Sequence, residues 1–310
     1  MKFAHSRYSR SKSGILSSDF EKTIFGLQRL AVATTLSLLF GLWACAPSNR
    51  PLPTLTPLPA ATATPVPPTP TVTPLGCLSQ PGRLETGSLE IPSAPMAYSV
   101  YLPPCYDQFP DKRYPVLYLL HGQTYANDQW PRLGAVTVAD GLILSGESVP
   151  FIIVFPDDHY WNLPPGPAFG EQVINDLIPF IDSTYRTLDE RAGRAIGGMS
   201  RGAGWALQLG LNHPDLFGSV GAHSPVVFLD DAAYLEDWIA AIPPESFPRL
   251  FLDIGDRDKE VGYARTLAEM LVAHNVLHEW HLYAGDHSEV YWGAHVEEYM
   301  RWYAQGFAGE

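Results

Sequence analysis

Basic side chains are scarce in this 310-residue sequence: 20 lysines and arginines stand against 33 aspartates and glutamates. Six of those basic residues (Lys2, Arg7, Arg10, Lys12, Lys22 and Arg29) precede Cys45, where the only acids are Asp19 and Glu21, so 14 basic and 31 acidic residues remain beyond it. A body that acidic repels phosphate backbones, which excludes nucleic acid as a partner. It also disfavours electrostatic docking on anionic lipid, so a membrane link has to be covalent or hydrophobic. The uncharged apolar run of residues 30–46 falls short of the ~20 residues that a spanning helix needs. No internal repeat is visible, which excludes solenoids and propellers. Cysteine is rare, at three residues. A metal motif is missing too: His278-Glu-Trp-His281 is not H-E-x-x-H, and a helix-to-strand break separates it from His274. No cofactor is implied.

What the chain does contain begins with an address. Residues 1–29 are basic and serine-rich and lead into the apolar run, the order of a secretory n-region and h-region. The run ends in Leu42-Trp-Ala-Cys45, which resembles the bacterial lipobox and implies cleavage before Cys45 and acylation of its thiol. An uncleaved anchor or another secretory signal would give a similar address. Residues 46–75 hold ten prolines, seven threonines and a single charge, Arg50. Such a segment cannot build a core and is expected to run as an extended stalk, roughly 90 Å long at full polyproline extension, or as a plain linker. The expected organisation is thus a signal or anchor over 1–45, a linker over 46–76 and one catalytic domain over 77–310. If Cys45 carries lipid, Cys77 and Cys105 remain, either as one disulfide in an oxidising compartment or as two separate thiols.

The domain reads as α/β. Short apolar runs at 98–102, 115–121, 151–155, 194–197, 219–222, 250–254 and 278–283 suit strands, most of them buried on both faces as in a parallel sheet. Helical patterns lie between them at 171–185, 202–212, 261–274 and 290–305, with a short excursion over 230–242. Pro179 conflicts locally with the first. Alternating strands and helices imply a mostly parallel, doubly wound sheet flanked by helices, and no segment is long enough for a large lid domain.

One stretch carries chemistry. Gly198-Met-Ser200-Arg-Gly202 fits G-x-S-x-G with a strand before it and a helix after it, the context of a nucleophile elbow. A serine there needs a base oriented by an acid, in the chain order Ser, acid, His. Downstream, Asp256 and Asp258 share the acidic loop after the 250–254 strand, and His287 follows the last strand. Both loops leave the carboxyl ends of strands, the edge where Ser200 sits. Asp253 falls inside a strand and reads as structural, whereas Asp286 reads as a turn residue. Asp157-Asp-His159 looks metal-like but reads as a polar loop at a pocket rim. Two backbone donors are expected to face the oxyanion, the N–H of Arg201 and that of Gln123 after the Leu119-Leu-His-Gly122 strand end. His121, Tyr160 and Trp161 are expected at the substrate pocket, where the two aromatic rings would stack on a substrate or simply pack.

Taken together, these blocks resemble the esterase D / tributyrin esterase-like family of α/β-hydrolases, over residues 98–307. Tyr101-Leu-Pro-Pro-Cys-Tyr-Asp107 and Tyr114-Pro-Val-Leu-Tyr-Leu-Leu-His-Gly122 resemble its opening, with Cys105 where glycine is common. Gly255-x-x-Asp258 resembles its acid loop, and Gly285-Asp-His287 with Tyr291-Trp292 resembles its histidine block. The resemblance implies a catalytic triad of Ser200, Asp258 and His287 acting on carboxylic esters, the acyl group passing to water. Transfer to an alcohol on a cell-envelope glycolipid, or a non-catalytic binding protein on the same fold, are the alternatives.

Overall fold

A computed structural model of the chain describes residues 76–91, 95–159, 167–228 and 230–307. The signal, Cys45, the linker before Gly76, Tyr160 and Trp161 lie outside the described residues. Among the described residues no helix is long and apolar enough to cross a membrane.

Eight strands form one open sheet in the order β1-β2-β4-β3-β5-β6-β7-β8. They are β1 (Arg83–Leu89), β2 (Met96–Leu102), β3 (Val116–Leu120), β4 (Ile152–Pro156), β5 (Arg194–Met199), β6 (Ser219–His223), β7 (Arg249–Gly255) and β8 (Glu279–Tyr283). β2 runs antiparallel to β1 and β4, and every pairing from β4 across to β8 is parallel. The expected α/β architecture is therefore what the chain adopts. The uninterrupted apolar runs β3 and β4 are buried throughout, as strands covered on both faces must be.

Helices cover the two faces: α1 (Gln129–Arg132), α2 (Ala135–Leu144), α3 (Pro167–Gln172), α4 (Ile178–Thr184), α5 (Arg201–Asn212), α6 (Leu235–Ala241), α7 (Val261–Ala273) and α8 (Glu289–Gly306). Alternate residues of one strand feed two cores. Leu117 and Leu119 pack with Ala139, Leu142, Trp292 and Tyr303 beneath α2 and α8, whereas Val116, Tyr118 and Leu120 pack with Ile181, Trp205 and Leu267 beneath the helices of the other face. The conflict at Pro179 is absorbed by a π-helical turn, Val173–Leu177, between α3 and α4: a proline lacks the N–H for the ordinary helical ladder, and the wider turn re-spaces the chain ahead of it.

Three elements have no counterpart in the expectations above, the single-turn helix α1 and two longer ones. β1 is an edge strand, Arg-Leu-Glu-Thr-Gly-Ser-Leu, half exposed and largely polar, so it carries no apolar run. α2 carries the β-branched Val136, Thr137, Val138 and Ile143, which disguise a helix, although its buried Ala135, Ala139, Leu142 and Ile143 keep helical spacing.

Cys77 and Cys105 form a disulfide with Cα atoms 5.1 Å apart. Cys105 holds a left-handed φ of 64°, which accounts for glycine being common at that position in the family it resembles. The bridge closes a loop with a sequence separation of 28, for which the chain-entropy relation gives about 3–4 kcal/mol. Reduction is expected to lower stability by about 2–4 kcal/mol and the melting temperature by roughly 5–15 °C. Thermal melts with and without dithiothreitol check this; identical midpoints would show the bridge to be energetically idle.

Candidate active site

The carboxyl end of β5 delivers Ser200. Its φ of 55° and ψ of −119° belong to neither strand nor helix, a conformation that a serine holds only when its surroundings enforce it. The flanking glycines show how. A Cβ on Gly198 would lie 2.3 Å from the carbonyl of Gly202, and one on Gly202 would lie 2.3 Å from the carbonyl oxygen of Leu120 at the end of β3. A side chain at Gly198 would push against the helix that follows and one at Gly202 against the end of β3, so the turn stays tight and Ser200 is left at its apex.

Two loops complete the arrangement. His287 Nε2 lies 2.7 Å from Ser200 Oγ, and His287 Nδ1 lies 2.7 Å from Asp258 Oδ2. The other oxygen of Asp258 accepts the Glu260 N–H at 2.9 Å. With Nδ1 donating to a carboxylate, Nε2 is free to accept the hydroxyl proton, the polarity a serine nucleophile needs. The acid loop and the histidine loop are also tied together directly, since Gly285 N–H donates to Asp256 Oδ1 at 2.9 Å and Arg257 N–H to the Gly285 carbonyl at 2.9 Å. Asp256 thus serves the backbone of the histidine loop while Asp258 meets the ring. Asp286 accepts from Ser288, the N-cap of α8, as its turn position implies.

The loop after β3 is held from several sides. Trp130 Nε1–H donates to the Leu120 carbonyl at 2.9 Å, and Gly122 N–H donates to Gln129 Oε1 at 2.8 Å. These bonds fix the chain just before Gln123, whose amide follows next, and a Cβ at Gly122 would lie 3.6 Å from that of Ser200. His121 departs from expectation. It is buried, its Nδ1 bonds the Gly122 carbonyl at 2.8 Å, and its Nε2 accepts the Asp158 N–H at 2.8 Å. With both ring nitrogens used by the chain it holds the loop after β4 in place instead of facing a ligand. Asp158, expected at a rim, is buried too, and accepts from Arg201 Nε at 2.6 Å and Trp205 Nε1 at 3.0 Å. The guanidinium of the residue after Ser200 is therefore turned inward, and α5 is fastened at its first turn.

Beneath Ser200 lies a second polar cluster that the sequence did not announce. Asp253 in β7, fully buried, accepts from His223 Nδ1 at 2.7 Å, Tyr291 Oη at 2.6 Å and Tyr299 Oη at 2.7 Å. His223 Nε2 lies 3.0 Å from Tyr303 Oη. Ser200 N–H donates to the His223 carbonyl at 2.9 Å, so this cluster carries the floor of the elbow.

Burial works to raise the Asp258 carboxyl, but hydrogen bonds from His287 and the Glu260 N–H, with the nearby imidazole charge, outweigh it and hold the group below its usual range. A carboxyl depressed in the folded state stabilises fully above its unfolded value, about 3.9, and the contribution is lost as pH falls through the lower folded value. The stability advantage of the native chain over Asp258→Asn is therefore expected to be constant above about pH 5 and to shrink below about pH 4. Urea unfolding at a series of pH values measures it; a difference independent of pH would contradict the depressed carboxyl.

His274, His278 and His281 do not converge: His274 faces Glu236, His278 bonds the Val276 carbonyl and His281 stacks on Phe251. Among the described residues no group of three potential ligands could hold a metal ion.

Comparison with known proteins places these residues in context. A family profile described as "Putative esterase" matches residues 90–303. An endo-1,4-beta-xylanase/feruloyl esterase of Xylanibacter ruminicola is 30% identical over 202 residues, which are 59% of this chain and 27% of that protein. An esterase of Mycobacterium tuberculosis is 32% identical over 136 residues, 41% of this chain and 29% of that protein. The chain thus spans less than a third of the length of these relatives. Among solved structures, a ferulic acid esterase superposes with a TM-score of 0.65 at 26% identity, covering 73% of this chain and 98% of its own.

Proposed function

This chain belongs to the esterase family that its residues 90–303 match, and we propose that it is an exported serine esterase that hydrolyses carboxylic esters through an acyl-enzyme. The observation that carries the proposal is the unbroken hydrogen-bond chain from Ser200 through His287 to Asp258 at the carboxyl edge of the sheet.

In the reaction so read, Ser200 Oγ attacks the acyl carbon while its proton passes to His287 Nε2. Asp258 holds Nδ1–H and stabilises the imidazolium without taking its proton. The N–H groups of Arg201 and Gln123 face the oxyanion; one such donor typically contributes ~2.7–4 kcal/mol to the transition state. Collapse breaks the ester bond, and His287 returns the proton to the departing alcohol. Water then attacks the acyl-serine with His287 as base, releasing the acid and restoring Ser200. A pocket without a large lid is supported by the segment from β6 to β7, whose only α-helix among the described residues is the short α6.

Export is supported by the basic and then apolar order of residues 1–45, by the lipobox-like Leu42-Trp-Ala-Cys45 and by the Cys77–Cys105 bridge, a bond that persists in oxidising compartments. Acylated Cys45 would hold the domain at the membrane through the proline-rich segment of residues 46–76.

The test is turnover of p-nitrophenyl acetate, butyrate and octanoate and of methyl ferulate, alongside fluorophosphonate labelling. The ferulate is included because relatives carry feruloyl esterase in their names. Turnover with labelling at Ser200 is the expected result. A folded protein that neither turns over nor labels would move the assignment to a non-catalytic binding protein, and labelling without turnover would direct it to acyl transfer onto an acceptor other than water.

A further inference from the structure

Gln129 opens the four-residue helix α1 with its side chain wholly out of water. A buried primary amide is costly unless both of its ends find partners, so where those ends go is informative. Its Oε1 accepts the Gly122 N–H at 2.8 Å, and its Nε2 donates to Glu289 Oε1 at 3.2 Å. A backbone N–H only donates and a carboxylate only accepts, so the amide has one orientation: turned over, it would set donor against donor and acceptor against acceptor. The same oxygen of Glu289 accepts from Arg132 at 3.1 Å, and Arg132 is itself bonded to Asp128 at 3.0 Å.

The two ends of this amide reach the two segments that the reaction has to keep in register. Gly122 immediately precedes Gln123, whose N–H is read as an oxyanion donor, and Glu289 follows His287 by two residues, in the first turn of α8. Gly122 needs holding, because a residue without a Cβ turns about its backbone bonds more freely than any other. Gln129 pins its N–H. The Gly122 carbonyl, which shares a peptide plane with the Gln123 N–H, is bonded to His121 Nδ1 at 2.8 Å and to the Tyr125 N–H at 3.2 Å. His121 and Tyr125 belong to the same loop and set its internal shape. Gln129 and Arg132 fasten that shape to the helix that follows His287.

We propose that Gln129 is a positioning residue, a tie anchored on Glu289 that holds the Gln123 N–H at a fixed distance from the Ser200–His287 pair. This rests on Ser200 and His287 acting as nucleophile and base and on the Gln123 N–H facing the oxyanion. A donor to the oxyanion acts on charge that exists only in the transition state, so slackening the tie lowers kcat and leaves KM nearly as it was. Displacing a group at a reacting centre by about 1 Å typically costs on the order of 100-fold in rate, which sets the scale of the effect.

The experiment measures kcat, KM and the melting temperature of the full chain and its variants, on whichever p-nitrophenyl ester it turns over best, with Ser200→Ala and His287→Ala as controls. Gln129→Glu keeps the size of the side chain and an acceptor for the Gly122 N–H but sets one carboxylate against another. It is expected to lower kcat by about 10–100-fold with KM within about threefold. Glu289→Ala cuts the anchor and is expected to lower kcat about 10-fold, whereas Glu289→Gln, whose amide oxygen still accepts from Gln129, should stay within about twofold of native. The exchange Gln129→Glu/Glu289→Gln restores the bond with its direction reversed, and kcat should recover to within about fivefold of native. A merely structural role would lower the melting temperature without separating kcat from KM and without responding to the exchange. Native kcat in both Gln129→Glu and Glu289→Ala, a loss confined to KM, or an exchange no faster than Gln129→Glu would overturn the tie. Should the variants at 129 fail to fold, Glu289→Ala and Glu289→Gln decide, and equal kcat in the two would overturn it. Turnover that survives Ser200→Ala or His287→Ala, or a native chain that turns over no ester, would instead overturn the underlying assignment, so the two failures are told apart.

Discussion

Replacing Ser200 by alanine is expected to lower kcat on any ester the protein hydrolyses by on the order of 10⁵–10⁶-fold, with KM little changed. The hydroxyl lies 2.7 Å from His287 Nε2 and is the only part of the side chain that the substitution removes. The backbone N–H groups of Arg201 and Gln123, proposed to face the oxyanion, stay in place, so a residual rate above that in water should persist. On the proposed mechanism Ser200 and His287 act as one unit, so the double variant Ser200→Ala/His287→Ala should be about as slow as either single variant. Single-turnover assays with p-nitrophenyl butyrate separate binding from chemistry. A Ser200→Ala protein within tenfold of the native rate would mean that another group attacks the ester.

The largest expected effect on stability comes from a residue that does not touch substrate. Asp253→Ala is expected to lower the unfolding free energy by about 3–5 kcal/mol, and the melting temperature by roughly 6–20 °C. Asp253 accepts from His223, Tyr291 and Tyr299 with no exposure to water, so its loss strands three buried donors at once. Burial and the adjacent carboxylate push both tyrosine hydroxyls far above their usual range, so they remain protonated donors at every working pH. The stacked rings of His223 and Tyr299, with centroids 3.6 Å apart, would lose the group that aligns them. Since the His223 carbonyl holds the Ser200 N–H, activity should fall along with stability. Chemical denaturation of the variant measures the first effect; a loss under about 1 kcal/mol would mean that water or a shifted side chain satisfies the stranded donors.

Much of the site was legible because it is written locally. Gly198, Ser200 and Gly202 sit within five residues of one another, and chain order then points to an acid loop and to His287. The strands buried on both faces were equally plain, since β3 and β4 carry no polar interruption. What stayed hidden depends on contacts between residues far apart in the chain. Asp256 and Asp258 differ by two positions, and only the fold turns one toward His287 and the other toward Gly285. His121 stands at the end of a strand beside the nucleophile, which suggests a pocket residue, but its direction is set by the Asp158 amide 37 residues away. The serine at 224 lies in no motif; the indole N–H that its hydroxyl accepts belongs to Trp292, 68 residues further on. Edge strand β1 was missed for another reason, because a half-exposed strand has no need of the apolar residues that announce a buried one.

The Cys77–Cys105 bridge has a mechanical consequence. Strands β1 and β2 both lie inside the covalent loop it closes, as the segment from Leu78 to Pro104. Tension applied upstream of Gly76 therefore crosses from Cys77 to Cys105 through the sulfur atoms and enters the domain just ahead of β3. The edge of the sheet, which a pull on the chain would otherwise unzip one hydrogen-bonded pair at a time, carries no load. A domain held at a surface and tugged by flow or by an anchored polymeric substrate would yield elsewhere first, until a reductant cuts the bypass.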